Sequence, residues 1–370
     1  MAKVKVKSGV DSFVGPTKLD QLRSLTQQVN KGLGNKGKLS IGNDAFLGTV
    51  RGFIPSGSYM LDLLLNGGVA IGRVFELYGK PSVGKSTLSM SIMAEVQRAG
   101  GQSFLLDSER TYTADRASSM GVDVDTLVQL DADTLEGGFQ SIQKTLEVVQ
   151  NTPDLLSNPS VFIWDTITMA PTAASAEGMY AGGQSERPRV IKYYMPMLAK
   201  ALATSNAALI IVNQLMSGPK GNDTPGGHAL HHITSQRLEL WASQLKSSSD
   251  ELDERQGIEC HAVIKKNKIS GLVRDYTVAF PIYRLTGIDS DLSVVDYLAD
   301  AGIPEVKKGG GWTTITYDGE PIKMRSKEVR RVCDEVEGLR DFLKGLAKKR
   351  FTIDSTLAPE IIVDDPVEED

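Results

Sequence analysis

Residues 79–87 read GKPSVGKST and stand directly behind the apolar run VFELY at 74–78. The string fits G-x-x-x-x-G-K-[ST], with Gly79, Gly84, Lys85 and Ser86 at the defining positions. Glycines at that spacing let the backbone curl tightly and turn its N–H groups inward around a phosphate. A helix beginning near Lys85 adds its positive dipole end. Lys85 is therefore expected to reach the β- and γ-phosphates of a nucleoside triphosphate, and the Ser86 hydroxyl to ligate Mg²⁺. A glycine-rich turn with a surface lysine is the competing reading. It fails on context, because a strand precedes the string and an amphipathic helix follows it. Lys80, Pro81, Ser82, Val83 and Thr87 complete the expected nucleotide cradle.

Three further stretches supply groups for the same chemistry. PSVFIWD ends in Asp165, expected at the carboxyl edge of a sheet beside the phosphate loop, where it organises the metal. A helix-capping role would place it at the same edge. GQSFLLDSER carries Glu109 two residues beyond the strand end at Asp107, a position from which a carboxylate can polarise the water attacking the γ-phosphate. AALIIVNQ ends in Asn213 and Gln214, and an amide there can sense the γ-phosphate. The stretch that follows, LMSGPKGNDTPGGHALHH, is expected to be neither helix nor strand but a long loop, functional or disordered. His228, His231 and His232 fall within five positions. With no Cys or carboxylate at a fitting spacing they are read as residues of the loop base rather than as metal ligands, His228 being a candidate to stand near the γ-phosphate.

The elements that must hold these groups alternate. GRVFELY, GQSFLLD, PSVFIWD and AALIIVNQ are short continuous apolar runs, as parallel strands buried on both faces require. STLSMSIMAEVQRAG, TLEGGFQSIQKTLEVVQN and RVIKYYMPMLAKALATSN lie between them with helical periodicity. Repeated βα units predict an α/β fold with a mostly parallel sheet flanked by helices. QRLELWA, IECHAVIKK and YTVAFPIYRL are expected as antiparallel strands extending it. Ahead of this core, TKLDQLRSLTQQVNKGLG predicts a helix with Thr17 as N-cap and Gly32 or Gly34 as its stop.

A chain of 370 residues, 41% of them hydrophobic, can bury a sizeable core and suggests a large domain with smaller companions. Cys260 and Cys333 match no metal-site spacing and suit a reducing compartment. MAKVKVKSGV has no apolar stretch behind it, and no run approaches the ~20 apolar residues of a membrane helix. The expected location is cytoplasmic. The net charge is −5, yet residues 351–370 alone hold seven acids and no base. Residues 1–40 carry eight bases against two acids, and residues 306–350 twelve against seven. A basic solvated surface with a disordered tail, or a nucleic-acid binder whose acidic tail masks its basic surfaces, would both give this pattern.

The order and spacing of IPSGSYMLDLLLNGGVAIGRVFELYGKPSVGKST, FLLDSERTYTADRASSMGVD, VFIWDTI, IIVNQ, TPGGHAL and VIKKNK resemble those of RecA-type recombinases, with the bacteriophage, UvsX-like branch the most similar. The resemblance runs from about Ile54 to Leu298. It implies an ATP- and Mg²⁺-dependent enzyme that polymerises on single-stranded DNA and exchanges strands with double-stranded DNA in recombination, repair and recombination-dependent replication. Mediator and single-strand-binding proteins would be its partners. By the same resemblance Glu109 is the catalytic glutamate, Asp165 the Mg²⁺-associated aspartate and Gln214 the coupler of γ-phosphate to DNA. Lys266 and Lys268 reach across the subunit interface to a neighbour's ATP, and Thr113 and Arg116 cradle the base.

Two loops, about 177–189 and 215–227, would line the DNA channel. Met179 and Met216 are candidates to wedge between bases, Arg187, Arg189 and Lys220 to neutralise phosphates, and Gly226 and Gly227 to offer backbone N–H groups. The implied organisation is an N-terminal helix and linker contacting a neighbouring subunit (1–50), a RecA-like ATPase core (51–286), a small α+β domain (287–350) and an acidic disordered tail (351–370). A hexameric helicase with the same core, or a regulatory P-loop ATPase acting on a protein partner, are the competing functions.

Overall fold

The computed structural model describes residues 17–34, 50–178, 186–218, 221–245, 256–269 and 276–357. The chain divides into two compact units, 1–49 and 50–370. In the first, a helix spans Lys18–Leu33. Thr17 caps it through a reciprocal capping box with Asp20, and Gly34 rather than Gly32 ends it. Leu19, Leu22, Leu25 and Val29 form an exposed apolar stripe along it.

The second unit is organised by a nine-stranded sheet. Its strands run in the order 287–288, 277–283, 257–267, 236–244, 74–79, 207–214, 160–165, 102–107 and 128–130. The six strands from Gln236–Gln244 to Val128–Leu130 are mutually parallel. Gly257–Asn267, Thr277–Tyr283 and Gly287–Ile288 continue the sheet antiparallel. QRLELWA, expected as an antiparallel strand, lies parallel to Val74–Gly79, and the sheet turns antiparallel only after it. The helix Gly227–Ile233 returns the chain to the other end of the sheet, and a return of that kind fixes a parallel neighbour.

Every residue of Val74–Gly79 and Ser160–Asp165 is buried, as central parallel strands demand. Leu135–Asn151 and Glu186–Ala203 cover one face with Phe139, Ile142, Leu146, Met195 and Leu198. Lys85–Arg98 covers the other with Leu88, Ile92, Met93 and Val96. The segment after 287 continues that second core rather than building its own. Ser290–Asp300, a three-stranded antiparallel sheet over 306–324 and the helices Val329–Glu335 and Leu339–Leu357 place Val306, Ile315, Val332, Leu343 and Phe351 in the same apolar cluster. The expected tail boundary at 351 is thus too early. Phe351 is buried in the core and the last helix runs on to Leu357.

Candidate active site at the carboxyl edge of the sheet

The Val74–Gly79 strand delivers the chain into the phosphate loop at the edge where the parallel strands end. Ser82 and Gly84 take left-handed backbone angles, φ 62° and 100°. At Gly84 that angle disfavours any side chain, and a Cβ there would lie 2.5 Å from Ile282 Cδ1, which would have to move aside. Gly84 is also the N-cap of Lys85–Arg98 and offers no side-chain acceptor, so the first amides of that helix stay available to an anion. Val83 turns inward instead, buried in the core, with its carbonyl accepting from Cys260 Sγ at 3.3 Å. Lys80 is exposed and contributes its carbonyl.

Lys85 Nζ donates to the carbonyls of Gly79 (3.1 Å) and Lys80 (2.8 Å). Burial holds its ammonium below the ordinary lysine range, opposed by the charges of Asp165 and Glu109. A desolvated ammonium aimed into a cleft is a strong phosphate partner. Ser86 Oγ donates to Asp165 Oδ2 at 2.7 Å. Burial pushes the Asp165 carboxyl up to about 6 against the pull of Ser86. These hard oxygen donors, close together and beside the phosphate cradle, fit Mg²⁺. That ion, when bound, neutralises charge on the phosphate oxygens.

Glu109 lies on the loop after Gln102–Asp107. Asp107 shapes this loop by accepting the N–H groups of Glu109 (3.2 Å) and Tyr112 (2.8 Å). Glu109 Oε1 accepts from Gln214 Nε2 at 2.7 Å. Lys85, Ser86, Glu109, Asp165 and Gln214 all line one cleft of about 780 Å³. Arg116 joins them, its Nη2 donating to Thr87 Oγ1 at 3.1 Å. Thr113 does not: it caps the helix Ala114–Ser119 with its side chain exposed, outside the cleft lining.

The cleft's far wall was not anticipated from the sequence. Gln256, Gly257, Ile258, Ile282, Tyr283 and Arg284 form it. The register Gly257↔Tyr283 brings two strand ends together over the phosphate loop, and a cross-strand register leaves no local signal in either stretch. A second omission is Glu76, wholly buried on the phosphate-loop strand and paired with Arg237 at 2.5 Å.

The glycine-rich stretch after Gln214 is structured, contrary to expectation. Met216–Gly218 pairs with Gly221–Asp223, and Gly227–Ile233 is helical. Gly226, at φ 115°, starts the helix where a Cβ would press on Leu230 and Ile191, so its glycine serves packing. Gly227 faces open space and Met216 is exposed. Arg189 is exposed, whereas Arg187 is half-buried and donates to the Ile167 carbonyl at 2.8 Å. Met179, Lys220 and the His228 side chain lie outside the described residues.

Lys266 and Lys268 stand apart from the cleft lining. Lys266 Nζ donates to the His231 carbonyl, and Lys268 Nζ to that of His232 at 3.1 Å. Both ammoniums thus sit at the negative end of Gly227–Ile233. Burial, then the neighbouring Lys268 charge, brings Lys266 down to about 8. His231 Nε2 meets Thr224 Oγ1 at 3.0 Å. Among the described residues no group of three His, Cys, Asp or Glu could hold a metal.

A glycine-framed phosphate loop, a Ser–Asp pair and a carboxylate held by an amide, all at the carboxyl edge of one sheet, define a P-loop ATPase. Residues 20–289 match the model of the RecA N-terminal domain, and the chain belongs to the RecA family. It is 30% identical over 325 residues to Protein RecA of Corynebacterium glutamicum strain R, covering 85% of this chain and 81% of that one. Protein RecA of Geobacter sulfurreducens is 29% identical over 337 residues, 87% and 94% of the two chains. That of Chloroherpeton thalassium is 28% identical over 361 residues, 95% of each.

Proposed function

We propose that this chain is an ATP-dependent DNA recombinase that assembles on single-stranded DNA and drives pairing and strand exchange with a homologous duplex. The hydrogen bond between Glu109 and Gln214 carries the reading, because it joins the group placed to activate water to the strand that runs into the glycine-rich stretch. Lys85 and the amides at the start of its helix bind the phosphates. Ser86 and Asp165 hold Mg²⁺, and Glu109 takes the proton of the attacking water. Arg116, with Thr87, and the Tyr283 wall bound the space left for the nucleoside.

Met216, Arg189 and Gly227, with the segments around Met179 and Lys220, face the DNA. Lys266 and Lys268 complete the site of the next subunit, and the exposed leucine stripe of Lys18–Leu33 docks on a neighbouring copy. The spelling of the motifs favours the bacteriophage branch, which would place the protein in a host cytoplasm beside mediator and single-strand-binding proteins. Among the described residues no helix is long and apolar enough to cross a membrane.

The test is a strand-exchange assay with a labelled oligonucleotide and homologous duplex, with ATP and Mg²⁺. Exchange that needs ATP supports the reading. Directional unwinding of a forked duplex without exchange would favour the helicase alternative. Hydrolysis indifferent to any DNA would favour the protein-directed ATPase.

A further inference from the structure

Both ends of the 215–226 segment are tied to one buried polar cluster. On the face covered by Gly227–Ile233, Glu76 lies beside Arg237 in one neighbouring strand and Ile211 in the other, two residues from Asn213. Glu76 and Asn213 are 0% exposed. Each carboxylate oxygen of Glu76 accepts one bond: Oε1 from Asn213 Nδ2 at 3.0 Å, Oε2 from Arg237 Nε at 2.5 Å. Asn213 Nδ2 also donates to the Pro225 carbonyl at 2.8 Å, while its Oδ1 accepts the Gln214 N–H at 3.0 Å. Arg237 Nη2 donates to Thr224 Oγ1 at 3.2 Å, and its guanidinium lies over the Tyr78 ring at 5.0 Å. Thr224 in turn meets His231, whose carbonyl receives Lys266, the residue opposite Arg237 on the next strand.

A buried ion pair is a poor source of stability, because desolvation opposes the Coulomb gain. Here it does something an apolar pair could not. It holds the outgoing end of the segment through Asn213 and Gln214, the returning end through Thr224 and Pro225, and the phosphate-loop strand itself. We propose that Glu76 and Arg237 are positioning residues for DNA-gated hydrolysis: they set the 215–226 segment and the Lys266 strand against the phosphate loop, so that DNA held by the segment acts on the cleft through them. The inference rests on the DNA-dependent reading above. Neither residue lines the nucleotide cleft.

Two variants of the full chain test it. Glu76→Gln keeps size but has a single carbonyl oxygen for two donors, so either Asn213 or Arg237 loses its acceptor. Thr224→Val keeps shape and the ion pair, and removes only the hydroxyl that Arg237 and His231 share. ATP hydrolysis is measured against the concentration of a poly-dT oligonucleotide, together with the DNA-free rate, the KM for ATP and folding by circular dichroism. Each variant is expected to raise the half-maximal oligonucleotide concentration on the order of 10-fold, within the range by which coupling residues act. The DNA-free rate and KM stay within about twofold, and the double variant is no worse than Glu76→Gln, since neighbours in one network are non-additive. If Glu76→Gln fails to fold, Thr224→Val carries the test alone. An unchanged half-maximal concentration in folded Thr224→Val, or DNA-free and DNA-stimulated rates falling in equal proportion, overturns the inference while wild type still responds to DNA. A wild type that ignores the oligonucleotide overturns the functional reading and this inference with it.

Discussion

Gln214 Nε2 and Glu109 Oε1 are joined at 2.7 Å across the carboxyl edge of the sheet, between strand ends two positions apart in the sheet order. One partner shares the cleft with Lys85, and the other is the last residue before the glycine-rich segment. A change in that segment therefore reaches the carboxylate proposed to activate water through a single bond. Gln214→Ala should leave ATP binding intact and reduce stimulation of hydrolysis by single-stranded DNA on the order of 10-fold or more. Steady-state rates with and without DNA measure it, and an unchanged ratio would remove Gln214 from the coupling.

Glu109→Gln separates binding from chemistry. The amide keeps the size and the acceptor oxygen that Gln214 needs, but it cannot take a proton. Hydrolysis should fall by ~10²-fold or more with nucleotide still bound, and complexes with DNA should live longer. Filter-bound nucleotide and single-turnover rates check the two halves, and normal turnover would place the base elsewhere.

The strand-and-helix alternation was legible because buried parallel strands leave continuous apolar runs, and the phosphate loop because its glycines are forced, Gly84 by its backbone angle and Gly79 by the Leu240 carbonyl 2.3 Å from where a Cβ would stand. What sequence could not reveal was long-range register. Tyr283 meets the phosphate loop only through pairing with Gly257, and Arg237 meets Glu76 only through a parallel pairing set up by the intervening helix. Glycine-rich composition misled in the other direction. The segment around Gly218 and Gly226 reads as neither helix nor strand, yet Gly218 pairs with Gly221 between two short strands and Gly226 starts a helix.

Lys266 and Lys268 lie outside their own cleft lining, so their proposed target is a neighbour's nucleotide. Lys266→Ala and Lys85→Ala should each be inactive alone, with nucleotide binding retained by the first. Mixed together on DNA they create some interfaces that pair an intact phosphate loop with an intact lysine pair, and hydrolysis should return to roughly a quarter of wild type if assembly is random and each interface acts alone, the trans logic of an arginine finger. Mixtures that co-assemble but stay inactive at every ratio would contradict a shared site.

Asp62, on the helix Tyr59–Leu64, accepts the Ser56 N–H at 2.8 Å, yet burial pushes its carboxyl up to about 7 against that bond. A folded-state value above the unfolded one means that the native protein binds the extra proton between about pH 4 and 7. Stability from this group is therefore present at low pH and lost as pH rises through 7, by about 4 kcal/mol at most. Asp62→Asn keeps the acceptor and removes the titration. In urea denaturation it should exceed wild type at pH 8, with the gap closing towards pH 4. A gap independent of pH would exclude the linkage.

We propose a gating of hydrolysis at Lys85 and Glu109 by DNA held beyond Gln214. Its most direct test is the ATP hydrolysis rate of the wild-type protein as single-stranded oligonucleotide is titrated in, at fixed saturating ATP and Mg²⁺ and at two salt concentrations. A saturable rise is expected, its midpoint moving to higher DNA concentration with salt, as phosphate contacts require. A rate that stays flat across the titration at both salts, with nucleotide bound normally, would contradict it.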